Sequence, residues 1–354
     1  MATIKDIAKK AGVSTATISY VLNNNGQISK GTRSRVLKIV SEMNYRRNSI
    51  AKSLRTSKTN TIGIIAEDIT VFNSSSIIDG INKFVEEQGF HTILTNLRLS
   101  KRIGINYSNI DSCISEISES IDVLLSRQIE GIIYIGVHPR DVTGIIRKIN
   151  KPLVYTYCYT TRDDYCVNYA DKLAAYEITN YFINIGHKKI AVISGVVDSL
   201  ATRERLQGYK KALIDNNLMY NPDYIKTGDW EFESGFNAIK KILSQHKEPP
   251  TAIFAMNDLM AAGAIEATFR LGYSVPDDLS IIGFDNREFS QFYRPRITTM
   301  DLPLSKMGIR SASILIDIIN GKKVRKKSYK IKCRLIKRDS VKKYRKSSNG
   351  DKAK

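Results

Sequence analysis

The sequence has little that marks a secreted, metal-binding or membrane protein. Its four cysteines form no C-x-x-C pair, and its four histidines stand alone, without the spacing of metal ligands. No apolar run approaches the ~20 residues of a membrane-spanning helix. The first residues lack the basic-then-apolar order of a secretory signal. These absences predict a cytoplasmic protein with reduced structural thiols, no metal, no cofactor and no membrane partner.

Sequence motifs of common enzymes are also missing. There is no G-x-x-x-x-G-K-[ST] loop to cradle a phosphate, no G-x-G-x-x-G opening a helix and no G-x-S-x-G nucleophile elbow. His187 stands just before a predicted strand, where a hydrogen-bonded structural role is favoured over a catalytic one. We therefore expect a protein that is not an enzyme.

The net charge of +20 is concentrated at the two ends of the chain. Residues 1–60 carry 12 Lys and Arg against 2 Asp and Glu, and residues 321–354 carry 16 against 2. The residues between them carry 27 against 31, a slightly acidic balance. Basic ends of this kind favour polyanions, most often nucleic acid. For the end of the chain, from Lys337 and above all at 341–354, a solvated and disordered basic tail is the favoured interpretation.

The first 45 residues predict a three-helix module. Thr3 and Asp6 form a variant of the capping box at the start of a first helix, and Gly12 ends that helix. Ser14 is placed to cap a second helix and Ser29 a third. Three short helices with a tight turn between the first two describe a helix-turn-helix. Since so short a segment makes only a marginal core, we expect a small docking module tethered to something larger.

The rest of the chain predicts a linker followed by an α/β core. Residues 46–60 are polar and basic, and a helix this short is marginal in free solution. From Thr61 to Phe284, short apolar runs alternate with helical stretches, which indicates parallel sheets with crossover helices. About ten strands exceed one small doubly wound sheet, so two lobes with a ligand cleft between them are expected over 61–340. Residues 97–112 predict a long basic loop, either functional or a surface insertion.

The N-terminal run ATIKDIAKKAGVSTATIS, residues 2–19, closely resembles the start of the lactose-repressor (LacI/GalR) family of bacterial regulators. Further resemblances follow in family order as far as about residue 340. They are SLRTSKTNTIGII at 53–65, GHKKIAVISG at 186–195, RLQGY at 205–209, GDWEFESGF at 228–236, Asn257-Asp258 with Gly263, and IIGFD at 281–285 with ITT at 297–299. Each is weak alone, and together they are specific.

The resemblance implies the architecture and the mode of action. It implies an all-α, lambda-repressor-like helix-turn-helix, a hinge helix at 46–60 and a two-lobed, doubly wound α/β core resembling periplasmic sugar-binding proteins. It also implies a homodimeric repressor of transcription that binds pseudo-palindromic, double-stranded operator DNA. No leucine repeat closes the C-terminus, so a dimer is expected rather than a tetramer.

The resemblance places the DNA contacts mainly on the second helix. In the family this helix lies in the major groove and reads base edges, while phosphate contacts position the protein. The matching base-reading positions are Thr15, Ala16, Ser19 and Tyr20. The full set of expected DNA-binding residues is Thr3, Ile4, Lys5, Ser14, Thr15, Ala16, Thr17, Ser19, Tyr20, Asn23, Arg33, Asn48, Ala51 and Leu54.

Two positions depart from the family pattern at the DNA. Many relatives have Arg where this chain has Tyr20, and a tyrosine cannot make the bidentate contact of Arg with guanine. The alternative for Tyr20 is a half-buried aromatic ring that covers the small core. In the hinge, Leu54 matches the leucine that wedges into the minor groove, with Asn48 and Ala51 beside it. Arg47 stands where most relatives have Pro, which removes a pre-organised helix start.

The resemblance also implies a small-molecule effector, expected to be a sugar, in the cleft between the lobes. The flat indole face of Trp230 suits the apolar side of a pyranose ring. Arg205, Asn257 and Asp285 supply donors and acceptors for neighbouring hydroxyls. Tyr169 falls at a wall position of the family site.

The wall of the first lobe departs from the family, which often has two phenylalanines there. This chain has Asn73-Ser74, and Glu67 adds a candidate acceptor. The more polar wall disfavours a stacked purine and favours a ligand rich in hydroxyl groups.

Three classes of function remain open on these observations. A dimeric regulator switched by a small molecule is favoured. A binding protein for sugar uptake is disfavoured by the missing signal sequence and by the helix-turn-helix. An enzyme built on a sugar-binding core is disfavoured because no catalytic grouping is present.

Overall fold

The computed structural model describes residues 2–22, 26–45, 58–104, 107–245 and 249–345. The chain forms two compact units, residues 1–59 and residues 60–354. The expected DNA-contacting residues Asn23, Asn48, Ala51 and Leu54, together with Arg47, lie outside the described residues. Among the helices that the structure describes, none is long and apolar enough to cross a membrane.

The first unit confirms the predicted helix-turn-helix. Its helices are α1 (Ile4–Ala11), α2 (Thr15–Leu22) and α3 (Lys30–Glu42). The capping box is present, since the Thr3 side chain accepts from the Asp6 amide at 3.3 Å and the Asp6 carboxylate accepts from the Thr3 amide at 2.9 Å. Gly12 ends α1 with a φ of 64°, the left-handed conformation that glycine adopts without strain. A small core that includes Ile7 and Ile18 joins the three helices.

The second unit contains two six-stranded sheets, as expected for two lobes. In the first lobe the strands are β1 (Thr61–Ala66), β2 (His91–Asn96), β3 (Gly131–Ile135), β4 (Leu153–Thr156), β5 (Tyr165–Tyr169) and β11 (Ser328–Ile331). In the second lobe they are β6 (Ile190–Ser194), β7 (Ile225–Thr227), β8 (Ala252–Ala255), β9 (Ser280–Asp285), β10 (Thr298–Asp301) and β12 (Arg334–Ile336). The orders are β11-β5-β4-β3-β1-β2 and β12-β10-β9-β8-β6-β7, and only β12 runs antiparallel to its neighbour.

Helices cover the faces of both sheets. They are α4 (Ser74–Glu87), α5 (Leu99–Ile103), α6 (Ile114–Ser126), α7 (Asp171–Asn184), α8 (Leu200–Asp215), α9 (Phe232–Gln245), α10 (Asp258–Arg270) and α11 (Leu304–Ile319). The closest helix pairs are α4 with α11, α7 with α8 and α9 with α10. A methyl group at Gly308 of α11 would lie 2.1 Å from the carbonyl oxygen of Ile77 in α4, so only glycine permits that approach.

The chain crosses between the lobes three times. Helix α7 follows β5 of the first sheet but packs on α8 of the second lobe. Helix α11 follows β10 of the second sheet but packs on α4 and on strands β3 to β5 of the first lobe. The third crossing joins β11 to β12. Because the carboxyl ends of parallel strands are where α/β folds hold ligands, these crossings flank the expected cleft.

The region 97–112 differs from the predicted long loop. Leu99–Ile103 forms the short helix α5, and Tyr107–Cys113 forms a 3-10 helix. Leu99, Ile110 and Cys113 are buried in the core of the first lobe. The apolar residues in this stretch therefore form part of that core, although its charges suggested an exposed loop.

Residues 337–345 also contradict the prediction of a disordered tail, because they pack on the second lobe. The Arg338 guanidinium donates to the carbonyl oxygen of Ile297 at 2.7 Å and to Oδ1 of Asn286 at 2.7 Å. Ser340 is fully buried, and its hydroxyl donates to the carbonyl oxygen of Ile281 at 2.6 Å. The charged composition hid this segment, although Val341 packs on the core and the Tyr344 ring lies against His187. Residues 346–354 lie outside the described residues.

The packed tail predicts a difference between two of its cations. We expect Arg338→Ala to lower the free energy of unfolding by about 1–3 kcal/mol, because it leaves buried acceptors without donors. Lys343→Ala removes an exposed cation of the same segment, and we expect the stability to stay unchanged. Urea unfolding of both variants and the parent chain measures the difference. Equal stability of the Arg338 variant and the parent would show that the tail does not hold the lobe.

Candidate functional site

One face of α2 is uncharged and open to solvent. Thr15 and Ala16 are exposed, Tyr20 is 52% exposed, and Ser19 is half-buried. Ile18 is fully buried on the opposite side, in the small core. The helical period of 3.6 residues produces this separation. The face can therefore meet the edges of base pairs without placing a charge against them.

Tyr20 is neither buried nor free of contacts. A methyl group built at Gly26 would lie 3.5 Å from Cγ of Tyr20, so the ring rests against Gly26. Ser14 caps α2, since its hydroxyl accepts from the Thr17 amide at 3.0 Å. The Thr3 hydroxyl donates to the Asp6 carboxylate at 2.7 Å. The hydroxyls of Ser14 and Thr3 thus stabilise helix starts in this structure.

The cleft of the core is organised around the Arg205 side chain, which is 3% exposed. Its Nε donates to the Asp171 carboxylate at 2.6 Å, and Nη2 donates to the Tyr169 hydroxyl at 3.0 Å. A third bond runs to the carbonyl oxygen of Met256. The guanidinium lies 3.6 Å from the centre of the Phe284 ring. Arg205 therefore ties β5 of the first lobe to α7, α8 and β9, which lie around the cleft floor of the second lobe.

Trp230 and Asn257 lie together in the second lobe. The Asn257 amide donates to the carbonyl oxygen of Trp230 at 2.7 Å and accepts from the Met260 amide at 2.8 Å, which caps α10. Arg205 lies 5.7 Å from the indole centre. A methyl group at Gly195 would lie 2.0 Å from the indole, so glycine makes room for this ring.

Several residues with strained backbone conformations lie at the same cleft. Trp230, Asp285, Asn286 and Tyr157 have φ values of 77°, 106°, 54° and 61°, which are unfavourable for residues with a Cβ. Strained conformations persist only when the surrounding packing over-determines them, and they are enriched at ligand sites. Tyr157 stacks on Tyr169 with ring centres 5.5 Å apart. The strain therefore marks the same region as the expected effector contacts.

Two neighbouring carboxyl groups, Asp285 at the end of β9 and Asp258 at the start of α10, have raised pKa values. Burial raises the pKa of Asp285 to about 7, although Arg205 and Arg287 oppose the rise. Burial and the nearby Asp285 raise the pKa of Asp258 to about 8. Asp258 accepts from the Thr299 hydroxyl at 2.6 Å and from the Arg287 amide at 2.7 Å. Asp258 is thus held by the fold, whereas Asp285 borders open space.

That space is a cavity of about 810 Å³ between the lobes. Ligand sites usually enclose 300–1,000 Å³, so the volume suits a small molecule. The Arg287 guanidinium, from the second lobe, lies 4.4 Å from the centre of the Phe72 ring of the first lobe. The cavity is lined by Phe72, Ser76, Asp285, Asn286, Arg287, Glu288, Gln291, Asp301, Leu302, Pro303, Leu304, Ser305, Lys306, Lys332 and Arg334. Of the expected effector residues, only Asp285 lines it.

The structure gives Glu67 a different role from the expected effector acceptor. Glu67 is fully buried, and its two oxygens accept from the Arg140 guanidinium at 2.7 and 2.6 Å. The Tyr134 hydroxyl and the Val137 amide donate to it as well, at 2.5 and 2.9 Å. With four donors already on the carboxylate, Glu67 stabilises the first lobe instead of facing a ligand.

Asn73 is the other expected residue of the first lobe. It is 1% exposed, and neither Oδ1 nor Nδ2 has a hydrogen-bond partner. It stands immediately before α4 and makes no side-chain bond to that helix. A buried amide without partners is costly, although Asn73 does not line the cavity.

Several cleft residues were missed by the sequence interpretation. Asp171 and Phe284 hold Arg205, and Arg287 bridges the lobes. Asp171 follows β5, a strand that was not predicted, so no signal placed it at the end of a strand. Phe284 lies within the IIGFD motif and Arg287 follows its end by two residues, and their closeness to Asp285 along the chain was a signal that could have found them.

The chain matches two protein-family models and is similar in sequence to known repressors. Residues 3–48 match the bacterial regulatory proteins of the lacI family, and residues 179–341 match the periplasmic binding protein-like domain. The chain is 33% identical over 350 residues to the HTH-type transcriptional repressor PurR of Vibrio vulnificus (strain CMCP6), covering 97% of this chain and 99% of that protein. The PurR repressor of Pasteurella multocida (strain Pm70) is 32% identical over 345 residues, covering 97% and 99%.

Two solved structures are similar over nearly the whole chain. The lac repressor dimer bound to operator and the anti-inducer ONPF has a TM-score of 0.75 and 25% identity, covering 96% of this chain and 99% of that chain. The lac repressor bound to ONPG in the repressed state has a TM-score of 0.75 and 26% identity, with the same coverage. The likeness thus extends over both units and both lobes.

The buried Glu67–Arg140 pair gives a prediction on stability. Arg140→Met leaves the Glu67 carboxylate buried without a cation, and we expect it to lower the free energy of unfolding by about 3–5 kcal/mol. Urea unfolding followed by circular dichroism measures the loss. The double variant Arg140→Met/Glu67→Gln removes both charges, and we expect it to recover a large part of the stability.

A matched control is the exposed pair of Arg147 and Asp122. Arg147→Met breaks an ion pair in solvent, so the unfolding midpoint should scarcely move. An equal loss in the Arg140 and Arg147 variants would argue against the buried pair as a stabilising element.

Proposed function

Because the chain belongs to the lacI family of bacterial regulatory proteins, we propose that it is a cytoplasmic repressor that binds a pseudo-palindromic operator as a homodimer. A sugar bound between the lobes of the core switches its affinity for that operator. The observation that carries the proposal is the cavity of about 810 Å³ beside Asp285, in a chain whose other unit is a helix-turn-helix. The protein performs no reaction on its ligand.

Base readout is assigned to α2. Thr15, Ala16 and Tyr20 are exposed there, and hydroxyl and methyl groups can discriminate base edges in the major groove. Lys5 is exposed and Arg33 half-buried on the same unit, and they are assigned phosphate contacts together with the helix starts at 3–4 and 14–17. Asn23 and the hinge residues Asn48, Ala51 and Leu54 complete the interface in this proposal. The hinge folds on the operator, which couples DNA binding to the core.

Dimerisation has a candidate surface at the end of α10. Phe269 is 75% exposed, and Leu271 and Tyr273 are 43% and 45% exposed, within five consecutive residues. Large apolar side chains exposed close together favour a protein interface. A symmetric dimer also matches a two-fold pseudo-palindrome. The lac repressor of the similar structure is described as a dimer on its operator.

The sugar is assigned to the cavity beside Asp285, with Trp230 and Asn73 as further contacts that the ligand reaches from it. Among the described residues none donates to the Asp285 carboxylate and none bonds the Asn73 amide, so Asp285 can accept from hydroxyls and Asn73 can both accept and donate. Tyr169, Arg205 and Asn257 are already bonded to neighbours. Arg205 retains two of its five N–H groups and Asn257 one of its two, and these can bond the ligand as well.

A change at Tyr20 tests the operator readout. We expect Tyr20→Arg to prefer an operator with guanine at the contacted base by about 5- to 150-fold, since a bidentate pair discriminates by about 1–3 kcal/mol. Competition gel shifts with the promoter region beside its own gene, and with single-base variants of that site, measure the preference.

Lys5→Ala is the control for this experiment. Loss of a phosphate contact should weaken binding to all variants alike and reduce the salt dependence. If Tyr20→Arg leaves the ranking of the operator variants unchanged, Tyr20 does not read a base.

Ligand binding in the cleft predicts a thermal shift that depends on pH. A panel of sugars should contain one that raises the melting temperature, since a ligand at 100 times its Kd stabilises by about 2.7 kcal/mol. Asp285→Ala should abolish the shift. Below pH 7 the Asp285 carboxyl binds a proton in the free protein and must release it to accept two hydroxyls. Affinity should therefore fall by up to about tenfold per pH unit below 7.

Asp285→Asn separates the charge from the hydrogen bonds. Its amide oxygen still accepts, so binding should be weaker but independent of pH. If binding by this variant still depends on pH, the group that titrates is Asp258 and not Asp285. A panel with no shift in the parent chain would count against a sugar as the effector.

A further inference from the structure

A second, smaller cavity lies on the surface of the first lobe, outside the cleft. It encloses about 350 Å³ between α11 and β11, with Phe84 of α4 at one side. Apart from Lys326, which precedes β11, its lining residues belong to elements of the first lobe. Arg310 and Tyr329 are half-buried in its wall. The cavity is therefore an open depression with half-buried residues in its wall and the exposed lysines Lys306, Lys326 and Lys330 around them.

The lining of this cavity carries charge of one sign. Lys306, Arg310, Lys326 and Lys330 line it, and no carboxylate does among the residues that the structure describes. Lys330 has a carboxylate partner elsewhere, Glu204 at 2.5 Å. Lys306, Arg310 and Lys326 have no ion pair within the described ranges.

Several other cations of the C-terminal segment do have carboxylate partners. Along the same basic C-terminal segment, Lys322 pairs with Asp317 at 2.9 Å, Lys332 with Glu177 at 2.6 Å and Lys342 with Asp277 at 2.7 Å. Within the described ranges Lys323 and Arg325 have no ion pair either, but Lys306, Arg310 and Lys326 differ from them in sharing one cavity. Their mutual repulsion destabilises the free protein, and a bound anion relieves it.

The cations are held in place by an aromatic ring. The Arg310 guanidinium lies 4.3 Å from the centre of the Tyr329 ring, and the Lys326 ammonium lies 5.0 Å from it. Stacking orients the planar guanidinium and keeps its N–H groups at the edge for an acceptor. An arginine fork of this kind matches the oxygens of a phosphate group. Ser313 in the same wall adds a hydroxyl donor.

We propose that this cavity is a second ligand site, which binds a small phosphorylated anion such as a phosphomonoester or a pyrophosphate. Arg310 binds the phosphate oxygens in two-pronged fashion, and Lys306 and Lys326 neutralise the remaining charge. The volume and the half-buried arginine suit a small molecule, whereas a nucleic-acid backbone requires an extended basic track. The site does not depend on the sugar assigned to the cleft.

Two of the cations connect this site to the cleft. Lys306 also lines the cavity of about 810 Å³, and Lys330 pairs with Glu204 on α8 of the second lobe. An anion that draws the Lys330 ammonium into the cavity competes with its ion pair to Glu204 on α8. Binding at the second site is therefore coupled to a contact between the lobes, which makes it a site for regulation.

Calorimetric titration of the full chain with pyrophosphate at 150 mM salt tests the proposal. We expect Arg310→Met and Lys326→Met to weaken binding at least about tenfold, because each removes a charge-assisted contact. Lys326 is exposed, so its variant keeps the fold even if the Arg310 variant is damaged. Lys323→Met is the matched control, since Lys323 is an exposed cation of the same segment outside the cavity, and it should bind as the parent does.

Other outcomes overturn the proposal. Unchanged binding in both cavity variants would remove the site. An equal loss in Lys323→Met would show attraction to diffuse charge only. If only Arg287→Met weakens binding, the anion binds in the cleft between the lobes instead. If unrelated duplex DNA displaces pyrophosphate, the cavity is part of a nucleic-acid-binding surface. A sugar response that fails while pyrophosphate binding persists would count against the effector assignment alone.

Discussion

The buried guanidinium of Arg205 is the interaction on which the arrangement of the cleft depends. It bonds Asp171, Tyr169 and a backbone carbonyl, and it stacks on Phe284. Because a guanidinium cannot lose its charge in a protein, its partners must stay close to satisfy it. The strained backbone at Asp285 and Tyr157 is held in place around this cation. The cleft is thus pre-organised by one charge, and a ligand has only to satisfy the groups that remain.

The basic residues have different roles in the two units. In the first unit it surrounds an uncharged helix face, so that attraction to DNA and recognition of sequence fall on different residues. In the second unit many C-terminal cations pair with carboxylates on several elements, such as Lys332 with Glu177 and Lys342 with Asp277. Part of the basicity that the composition reveals is therefore paired with carboxylates of the second unit. Other cations, such as those around Arg310, have no ion pair within the described ranges.

A large part of the fold could be predicted from the sequence. Buried parallel strands such as Ile190–Ser194 are continuous apolar runs, and helices with regular spacing separate them. Strands β5 and β11 were not predicted because their sequences, YCVNY and SYKI, mix polar and apolar residues at or near an open sheet edge. At the site, resemblance located Arg205, Trp230, Asn257 and Asp285 near one another. It could not reveal that the Glu67 carboxylate is already bonded to Arg140, since Arg140 lies 73 residues away in sequence.

The three crossings between the lobes have a consequence for how the chain is made. Strand β11 and helix α11 belong to the first lobe, yet they are the last parts of it to be synthesised, after nearly all of the second lobe. On the ribosome, the second lobe can assemble most of its sheet while the first still exposes the face that α11 will cover. Neither lobe is a contiguous piece of chain, so no single cut releases one intact. The two lobes have to mature as one folding unit.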